Sequence, residues 1–515
     1  MQPVFTAAEM RRVDERAIRE LGISGTTLME RAGKAATEVV VAELTARRRG
    51  RGARVLIVCG KGGNGGDGFV VARLLRRRGV RCDVVLTTPP SEVRGDAAAK
   101  LTALQKAGGR PVVITDARLL GPLVQRADLV VDALLGTGAR GGTTGHLAAV
   151  VESINAAARP VVALDIPSGL SADGGVPDAP VVRADVTVTF AGLKRGLVMP
   201  PGRELAGRVV VADVGIPDSE VSRGIATFVL EHADVRAHFP SRARTAHKGT
   251  YGHLLLVAGS VGKTGAAALA ASGALRTGVG LVTVATAASQ QPIVAGLVLE
   301  AMSAPLDEGA PGETGARAWD MVSALMASRD ALAIGPGLGV SDGAQALARR
   351  VIAEAPLPVV ADADALTALA GHLEILRKAA GPRCLTPHPG ELARMLGTSV
   401  AEVQQDRIEV TRAFATTYGA FVVLKGAVSV IASPDGRVCL NPTGNPGMAS
   451  GGTGDVLTGM VGALLARGFA PGDAATAAVY LHGLAGDVAA ERVGEESLIA
   501  RDVIAALPTA FARLA

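Results

Sequence analysis

The chain has 515 residues, an apolar fraction of 48%, few aromatic residues and a net charge of +5. This length exceeds one ordinary hydrophobic core, so we expect two or three domains whose cores are filled by Ala, Val and Leu. The basic residues are scattered and do not alternate with aromatic residues, which argues against nucleic-acid binding. The charged N-terminus and the lack of a long uninterrupted apolar span favour a cytoplasmic protein that does not cross a membrane.

The four cysteines, Cys59, Cys82, Cys384 and Cys439, form no CxxC pair, and three of them lie in apolar strand-like runs. We therefore expect buried free thiols in a reducing compartment rather than disulfides or a zinc site.

Two helix start signals open the chain. Thr6 and Glu9 form a T-x-x-E capping box before a helix that reaches about Leu21, and Thr27 and Glu30 repeat the pattern before a second helix over 28–44. The next run, RVLIVCG at 54–60, is apolar without polar alternation, which predicts a buried parallel strand.

A glycine-rich loop, GKGGNGGDG at 60–68, follows this strand and precedes a helix predicted over 69–78. A strand, a glycine loop and a helix together form an anion site at the carboxyl end of the strand. A plain phosphate loop would not favour Asp67. Asn64 and Asp67 therefore either bind a cation, hydrogen-bond a sugar, or form an Asx turn.

Further strand-like runs, separated by helical patterns, predict an open α/β sheet. Asp132 lies late in one run, and Asp165 and Ser168 follow another within DIPSG. Since ligands bind outside the carboxyl ends of such strands, Asn64, Asp132, Asp165 and Ser168 are expected neighbours. Their oxygens suit a hard cation, although each aspartate taken alone could simply cap a turn.

The motifs GKGGNGGDG, DALLGTG, DIPSG and KRGLVMPPGRELAGRVVVADVGIP occur in that order and resemble the NAD(P)H-hydrate epimerase domain over residues 1–218. The resemblance implies a Rossmann-like three-layer α/β/α fold, a potassium ion on Asn64, Asp132 and Ser168, and Asp165 as the acid/base. Gly63 stands where the family usually has asparagine, and Arg140 where some members have lysine. The hydrated cofactor would contact Asp165 together with Gly63, Asn64, Gly65, Gly66, Asp67, Gly136, Thr137, Gly138, Ala139, Arg140, Gly141 and Gly142.

A polar, proline-containing stretch over 218–250 marks the predicted domain boundary. The strand-like run HLLLVAGS at 253–260 then leads into GSVGKTGAA, which is close to a P-loop. Val257 stands where that motif has its first glycine, so the stretch narrowly fails to match a P-loop and Lys263 is a weak candidate for phosphate binding.

The second half repeats the strand-to-glycine pattern. Gly337 follows one strand, Asp362 and Asp364 follow another, and His388 lies in a rigid loop between prolines, where it is expected to face a ligand. The stretch GNPGMASGGTGDVLTG at 444–459 combines glycines, a helix start and Asp455. This predicts an anion hole with an acid/base, although a glycine-rich turn capped by Asp455 is the structural alternative.

These motifs, with LKGAVSV, resemble the ribokinase-like NAD(P)H-hydrate dehydratase domain over residues 225–515. The resemblance implies a second α/β domain that uses ADP or ATP, with Mg²⁺, to dehydrate (S)-NAD(P)HX, and Asp455 as its catalytic residue. The hydrated cofactor would contact Ala266, Gly337, His388 and Asp455. The adenine nucleotide would contact Lys425, Gly426, Ala427, Val428, Ser429 and Gly454.

The sequence thus predicts a bifunctional enzyme acting on NADHX and NADPHX, expected to be a homo-oligomer. An ATP-dependent kinase of a small alcohol is the first alternative, because the GGTGD motif alone suits phosphoryl transfer equally well. A non-catalytic nucleotide-binding module is the second, and it fits poorly with acidic residues repeated at strand ends.

Overall fold

The apolar runs predicted as strands form largely parallel sheets in both halves of the chain. The structure is a computed structural model that describes residues 1–49, 52–139 and 141–515. These residues form two units, Gln2–Ile225 and Ala226–Ala515, and Met1 groups with the second unit. The predicted α/β architecture of both halves is confirmed.

The N-terminal unit contains a parallel sheet with the strand order β4-β3-β2-β5-β6-β7-β9, and β1 pairs with β8 in parallel beside it. Its strands are β1 (Gln2–Phe5), β2 (Arg54–Cys59), β3 (Arg81–Leu86), β4 (Val112–Val113), β5 (Leu129–Ala133), β6 (Val161–Leu164), β7 (Val186–Phe190), β8 (Leu193–Lys194) and β9 (Arg208–Ala212).

Helices cover both faces of this sheet. They are α1 (Ala7–Arg19), α2 (Gly25–Ala46), α3 (Gly63–Arg77), α4 (Gly95–Lys106), α5 (Gly121–Arg126), α6 (Gly145–Ala156), α7 (Arg195–Val198), α8 (Gly202–Ala206) and α9 (Asp218–Val221), with 3-10 turns at Pro90–Glu92 and Ala117–Leu119. Along β2, Val55 and Ile57 pack against α2, α3 and α4, whereas Leu56 and Val58 pack against α5 and α6. The sheet is therefore buried on both sides, which accounts for its apolar strands.

Two predicted helix starts differ from the structure. The capping box of Thr6 and Glu9 is confirmed, but α2 begins at Gly25 because Ser24, rather than Thr27, accepts the capping hydrogen bond. Helix α3 begins at Gly63 instead of Phe69, so the glycine loop forms its first turns. A Cβ at Gly68 would lie 2.7 Å from the Ala133 Cβ, and this close packing on the sheet outweighs the low helix propensity of glycine.

The C-terminal unit contains a sheet with the order β13-β12-β11-β14-β15-β16-β17-β18-β19-β10, parallel from β13 to β17 and antiparallel at β17-β18-β19. Its strands are β10 (Thr227–Val229), β11 (His253–Val257), β12 (Leu281–Ala287), β13 (Met302–Leu306), β14 (Ala331–Ile334), β15 (Val359–Ala361), β16 (Arg383–Leu385), β17 (Phe421–Leu424), β18 (Val430–Ala432) and β19 (Val438–Leu440).

Helices again cover both faces. They are α10 (His232–Arg236), α11 (Thr264–Arg276), α12 (Gln291–Leu297), α13 (Trp319–Met326), α14 (Asp342–Glu354), α15 (Asp364–Thr367), α16 (Glu374–Arg377), α17 (Pro389–Leu396), α18 (Val400–Gln405), α19 (Arg407–Tyr418), α20 (Thr453–Ala466), α21 (Pro471–Val493) and α22 (Ala500–Leu514), with 3-10 turns at Lys248–Tyr251, Ala316–Ala318 and Pro446–Met448. Ala331 and Ala333 of β14 join the core formed with α11 and α20–α22, and the alternate residues Leu332 and Ile334 are fully buried too.

The cysteines are free as predicted, and Cys59, Cys384 and Cys439 are buried. Within the described residues, no helix combines the length and the apolar composition needed to cross a membrane.

Candidate functional sites

In the N-terminal unit, Asp165 follows β6 and forms a buried ion pair with Lys194. The Lys194 Nζ lies 2.8 Å from Asp165 Oδ1, and Thr137 donates to Asp165 Oδ2 from its backbone N–H at 2.7 Å and its hydroxyl at 2.5 Å. Burial alone would raise the pKa of Asp165, but the charge and hydrogen bond of Lys194, together with the two hydrogen bonds from Thr137, lower it. Asp165 is therefore an ionised carboxylate at neutral pH.

The backbone at Asp165 is in the left-handed region, with φ of 63°. A non-glycine residue adopts this conformation at a cost, and aspartate and asparagine tolerate it best. The conformation occurs immediately after the buried strand β6, next to the residues that the carboxylate contacts.

A second carboxyl group, Asp67, lies in the first turns of α3. It is buried, and burial together with the nearby Asp165 carboxylate raises its pKa well above the ordinary value. Two carboxyl groups with pKa values shifted in opposite directions can act as an acid and a base in one site.

Asn64 and Ser168, two of the predicted potassium ligands, meet at the backbone of Leu135, and the third, Asp132, contacts Ser168. Asn64 Nδ2 donates to the Leu135 carbonyl at 2.8 Å, and the Leu135 N–H donates to Ser168 Oγ at 2.9 Å. The Ser168 hydroxyl in turn donates to Asp132 Oδ1 at 2.6 Å. The structure thus brings all three residues together.

These residues also fit a monovalent cation. The Oδ1 atom of Asn64 is buried without a hydrogen-bond partner. Asp132 is fully buried, and burial raises its pKa to about 6. A bound cation would satisfy the unpaired oxygen and compensate the buried carboxylate, and oxygen ligands suit a hard cation. Among the described residues, no cluster of three or more His, Cys, Asp or Glu side chains is placed to hold a metal ion.

A cavity of about 850 Å³ opens beside Asp165. Seven further residues predicted to bind substrate line it, namely Gly63, Asn64, Asp67, Gly136, Thr137, Gly138 and Ala139. Gly136 must lack a side chain, because a Cβ there would lie 2.8 Å from Asp165 Oδ2. The cavity therefore exposes backbone next to a carboxylate.

Four other glycines predicted for this site do not line the cavity. A side chain at Gly65 would clash with the Gly60 carbonyl, and one at Gly66 with Met29. Gly142 packs against Ala179, whereas Gly141 has φ of 80° and open space around it. The cavity lining does not include these four glycines, and Arg140 lies outside the described residues.

In the C-terminal unit, Lys425 lies at the centre of a buried polar network. Its Nζ is 2.8 Å from Asp362 Oδ1 and 3.8 Å from Glu391 Oε2, and the Thr458 hydroxyl donates to Asp362 Oδ2 at 2.6 Å. Burial alone would lower the pKa of Lys425, but the two carboxylates raise it. Lys425 therefore carries a fixed positive charge at the end of β17.

Asp455 lies in the first turn of α20, beside this network. Gly452 caps the helix with φ of 91°, and a Cβ at Gly454 would lie 3.3 Å from Lys425 Nζ. Burial and the charge of Asp362 raise the pKa of Asp455 to about 6, against the opposing effect of Lys425. Asp455 is only partly buried, so a carboxyl group suited to proton transfer near neutral pH remains accessible.

The predicted nucleotide loop, residues 425–429, is held from behind by Arg407. This side chain donates through Nη2 to the carbonyls of Leu424, Lys425 and Val428 at 3.3, 3.1 and 3.0 Å. A side chain at Gly426 would clash with the guanidinium. The Ser429 hydroxyl donates to the Gly426 carbonyl at 3.4 Å, so Arg407 and Ser429 fix the loop in place.

Ala266 and Gly337 are neighbours, as the predicted substrate site requires. A Cβ at Gly337 would lie 3.2 Å from the Ala266 Cβ and 2.8 Å from the Lys263 Cβ. The Lys263 Nζ is 3.1 Å from Asp364 Oδ2, which also accepts from the Gly339 N–H at 2.9 Å. Lys263, the lysine of the incomplete P-loop motif, is thus paired with the carboxylate of Asp364.

His388 is the N-cap residue of α17. Its Nδ1 accepts from the N–H groups of Gly390 and Glu391 at 3.0 and 3.3 Å, so the ring proton is on Nε2. The side chain is 55% exposed, and its Nε2 lies 3.6 Å from Glu391 Oε1. Glu391 links His388 to Lys425, since its own carboxylate lies 3.8 Å from the Lys425 Nζ.

Both halves of the chain match known protein families. Residues 25–196 match the YjeF-related protein N-terminus, and residues 254–509 match NAD(P)H-hydrate dehydratase. The bifunctional NAD(P)H-hydrate repair enzyme Nnr of Moorella thermoacetica is 45% identical over 514 residues, which cover 98% of this chain and 96% of that protein. The chain belongs to the bifunctional NAD(P)H-hydrate repair enzyme family.

Other members of the family also align over more than nine-tenths of their length. The Escherichia coli enzyme is 36% identical, with 98% of this chain and 93% of that protein covered. Among solved structures, the ADP/ATP-dependent NAD(P)H-hydrate dehydratase of Bacillus subtilis, co-crystallised with ATP and Mg²⁺, is 36% identical. It covers 56% of this chain and 99% of its own, with a TM-score of 0.48.

In this NAD(P)H-hydrate repair enzyme, the sequence did not reveal the roles of Lys194, Arg407 and Thr458. Lys194 follows an apolar strand, and a lysine in such a run is a usable sign of a buried ion pair. Arg407 and Thr458 lie on helices whose patterns give no sign of which loop or carboxylate they contact.

Proposed function

We propose that this chain repairs hydrated NADH and NADPH, with an epimerase site in residues 1–218 and a dehydratase site in residues 225–515. Spontaneous hydration gives both epimers at C6, so a dehydratase shaped for the S form leaves the R form behind unless an epimerase converts it. The observation that carries the proposal is that each unit places an aspartate with a shifted pKa beside glycine backbone, Asp165 directly after β6 and Asp455 in the first turn of α20.

In the epimerase site, Asp165 is proposed to act as the base and Asp67 as the acid. C6 of the hydrated ring bears both a hydroxyl and the ring nitrogen. Its configuration inverts if the hydroxyl loses its proton to Asp165 while the C6–N1 bond opens, and the bond then closes on the other face. Asp67, protonated because its pKa is raised, can give a proton to the nitrogen.

Potassium is proposed to be held by Asn64, Asp132 and Ser168. When bound, it supplies positive charge beside the cavity that takes the diphosphate-bearing substrate. The unpaired Oδ1 of Asn64 supports this assignment, because a buried oxygen without a partner is costly.

In the dehydratase site, Asp455 is proposed to take the proton of the C6 hydroxyl as its oxygen bonds to the terminal phosphorus of ADP or ATP. The bond from that phosphorus to the bridging oxygen breaks, and the shortened nucleotide leaves. The C6–O bond then breaks, phosphate departs and the adjacent ring carbon loses a proton, which restores the double bond of NAD(P)H. Lys425 lies where it can stabilise charge on the phosphoryl oxygens.

The nucleotide is proposed to lie along residues 425–429 and Gly454, with its phosphates towards the N-terminus of α20. The helix end and the bare glycines favour an anion there. Mg²⁺ bound with the phosphates needs only one or two carboxylates from the protein, and Asp364 and Asp455 lie at this edge of the sheet. Ala266, Gly337 and His388 are proposed to contact the hydrated cofactor.

The experiment compares the wild type with Asp165→Asn and Asp455→Asn on a mixture of hydrated NADH epimers, with ADP, ATP or neither. The wild type should convert the whole mixture to NADH and release one phosphate per NADH. With Asp165→Asn, the yield of NADH should stop near the amount of S epimer present at the start. Asp455→Asn should yield almost no NADH while still equilibrating the epimers. A stable phosphorylated product without NADH would instead favour a kinase, and a plateau with the wild type would contradict the epimerase assignment.

A further inference from the structure

A second cavity, of about 430 Å³, lies in the C-terminal unit and belongs to neither reaction site. Four arginines line it, together with aromatic and small residues that include Phe239 and Phe511. These arginines are Arg236, Arg242, Arg276 and Arg467. No aspartate or glutamate is among the lining residues, but Ala515, the last residue of the chain, is, and its backbone oxygen accepts from Arg236 Nε at 2.7 Å.

The cavity lies at the opposite helix ends from the proposed dehydratase site. Helix α11 begins beside Ala266 and ends at Arg276, and α20 begins beside Asp455 and is capped at its C-terminus by Arg467. The 14 residues of α20 span about 20 Å. An occupant of this cavity would therefore not touch the nucleotide or the hydrated cofactor.

Arg242 and Arg467 use only some of their N–H donors to cap the C-terminal end of α11. Arg242 donates to the Gly278 carbonyl at 2.7 Å, and Arg467 donates to the Thr277 carbonyl at 2.9 Å. Each guanidinium has five N–H donors, so most remain available, and the buried Nε of Arg467 has no partner. In the described part of the chain, no aspartate or glutamate oxygen lies within 4.0 Å of a guanidinium nitrogen of Arg242, Arg276 or Arg467.

The guanidinium planes are held by aromatic rings. Arg242 lies 3.9 Å from the centroid of the Tyr251 ring, and Arg467 lies 5.3 Å from that of Phe469 and 5.5 Å from that of Phe239. Burial, and then the neighbouring charge of Arg242, lower the pKa of Arg467. Arg467 also lies 5.9 Å from the centroid of the Tyr251 ring, so the two guanidinium groups are held beside the same ring.

We propose that this cavity binds a small phosphate-bearing anion. Planar guanidinium groups bind phosphate oxygens in a bidentate manner, and an anion between them would relieve the repulsion. The cavity volume is within the range of small-molecule sites and can take a diphosphate with a modest organic group against Phe239 and Phe511. This site is independent of the function proposed above.

The test is equilibrium dialysis of the full chain against radiolabelled inorganic pyrophosphate at low salt. The test variant is the double substitution Arg242→Gln and Arg276→Gln, in which both side chains are exposed. The control is Arg317→Gln with Arg501→Gln, which removes the same charge from exposed positions outside the cavity lining. Fluorescence of the single tryptophan, Trp319, checks that the unit is folded.

The wild type and the control should share one class of pyrophosphate site that the test variant binds at least about tenfold more weakly. Pyrophosphate should also slow hydrogen exchange at residues 276–278 in the wild type and the control but not in the test variant. The same affinity and exchange in all three proteins, or no saturable binding by the wild type, would overturn the proposal. If AMP competes with pyrophosphate at this site, the occupant is an organic phosphate, and if it does not, the occupant is the inorganic anion.

Discussion

Replacement of Lys194 by methionine tests the buried ion pair of the N-terminal unit. The Lys194 ammonium is 1% exposed, and it lies 2.8 Å from Asp165, 2.8 Å from the Thr189 hydroxyl and 2.9 Å from the Phe190 carbonyl. Methionine has a similar shape but removes the donor from all three, and Asp165 keeps only the two hydrogen bonds from Thr137 to Oδ2 and loses its counter-charge. Loss of one partner from a buried ion pair costs about 3–5 kcal/mol, so we expect the free energy of unfolding of this unit to fall by that amount.

Hydrogen exchange of the full chain measures this change separately from the C-terminal unit. Peptides from β6 and β7 should open about 3–5 kcal/mol more easily in Lys194→Met. Trp319, the single tryptophan, lies in the C-terminal unit, so its fluorescence should report an unchanged unfolding transition there. Epimerisation should fall steeply while dehydration of the S epimer persists.

A double-mutant cycle with Asp165→Asn separates the interaction free energy of the ion pair from the destabilisation that each substitution causes independently. The double variant, Asp165→Asn with Lys194→Met, should lose about 1–3 kcal/mol less free energy of unfolding than the two single variants lose together. Because the folded pKa of Asp165 is lowered, its contribution to stability is complete above the ordinary pKa of 3.8 and is lost as the pH falls through the folded value. Additive losses, or a Lys194→Met chain as stable as the wild type, would refute the reasoning.

Three further predictions concern Asp455, Gly68 and Arg407. The rate of dehydration by the wild type should rise with pH through about 6, because Asp455 must be ionised to accept a proton, and a pH-independent rate between about pH 5 and pH 8 would contradict this. Gly68→Ala should destabilise the N-terminal unit by about 1–3 kcal/mol in hydrogen exchange, since its Cβ would meet Ala133, whereas Gly63→Ala, in open space, should not. Arg407→Lys should weaken nucleotide binding at least about tenfold by calorimetry, because an ammonium cannot reach all three loop carbonyls, and an unchanged affinity would remove this role.

The sequence predicted the strands and the residues at their carboxyl ends because both depend on local patterns. Buried parallel strands are continuous apolar runs, and the chain leaves each strand at the edge where ligands bind. Asn64, Asp132 and Ser168 were therefore expected to meet, and the structure brings them together.

The partners of the key carboxylates were not predictable, because they come from distant parts of the chain. Asp165 and Lys194 are joined by the path of the chain from β6 to β8, and Arg407 reaches its loop from a helix that precedes β17. The start of α3 was missed for a related reason. Glycine disfavours a helix locally, but only glycine fits where α3 packs against the sheet, and that packing is invisible before the fold is known.

The left-handed backbone at Asp165 has a practical consequence for mutational scans of this enzyme. Alanine at that position would add conformational strain of about 1 kcal/mol or more to the loss of the carboxylate, so a drop in activity would mix two effects. Asparagine tolerates the same φ and keeps the size of the side chain. A library that replaces every residue with alanine would therefore exaggerate the chemical importance of this position, and amide substitution is the appropriate probe.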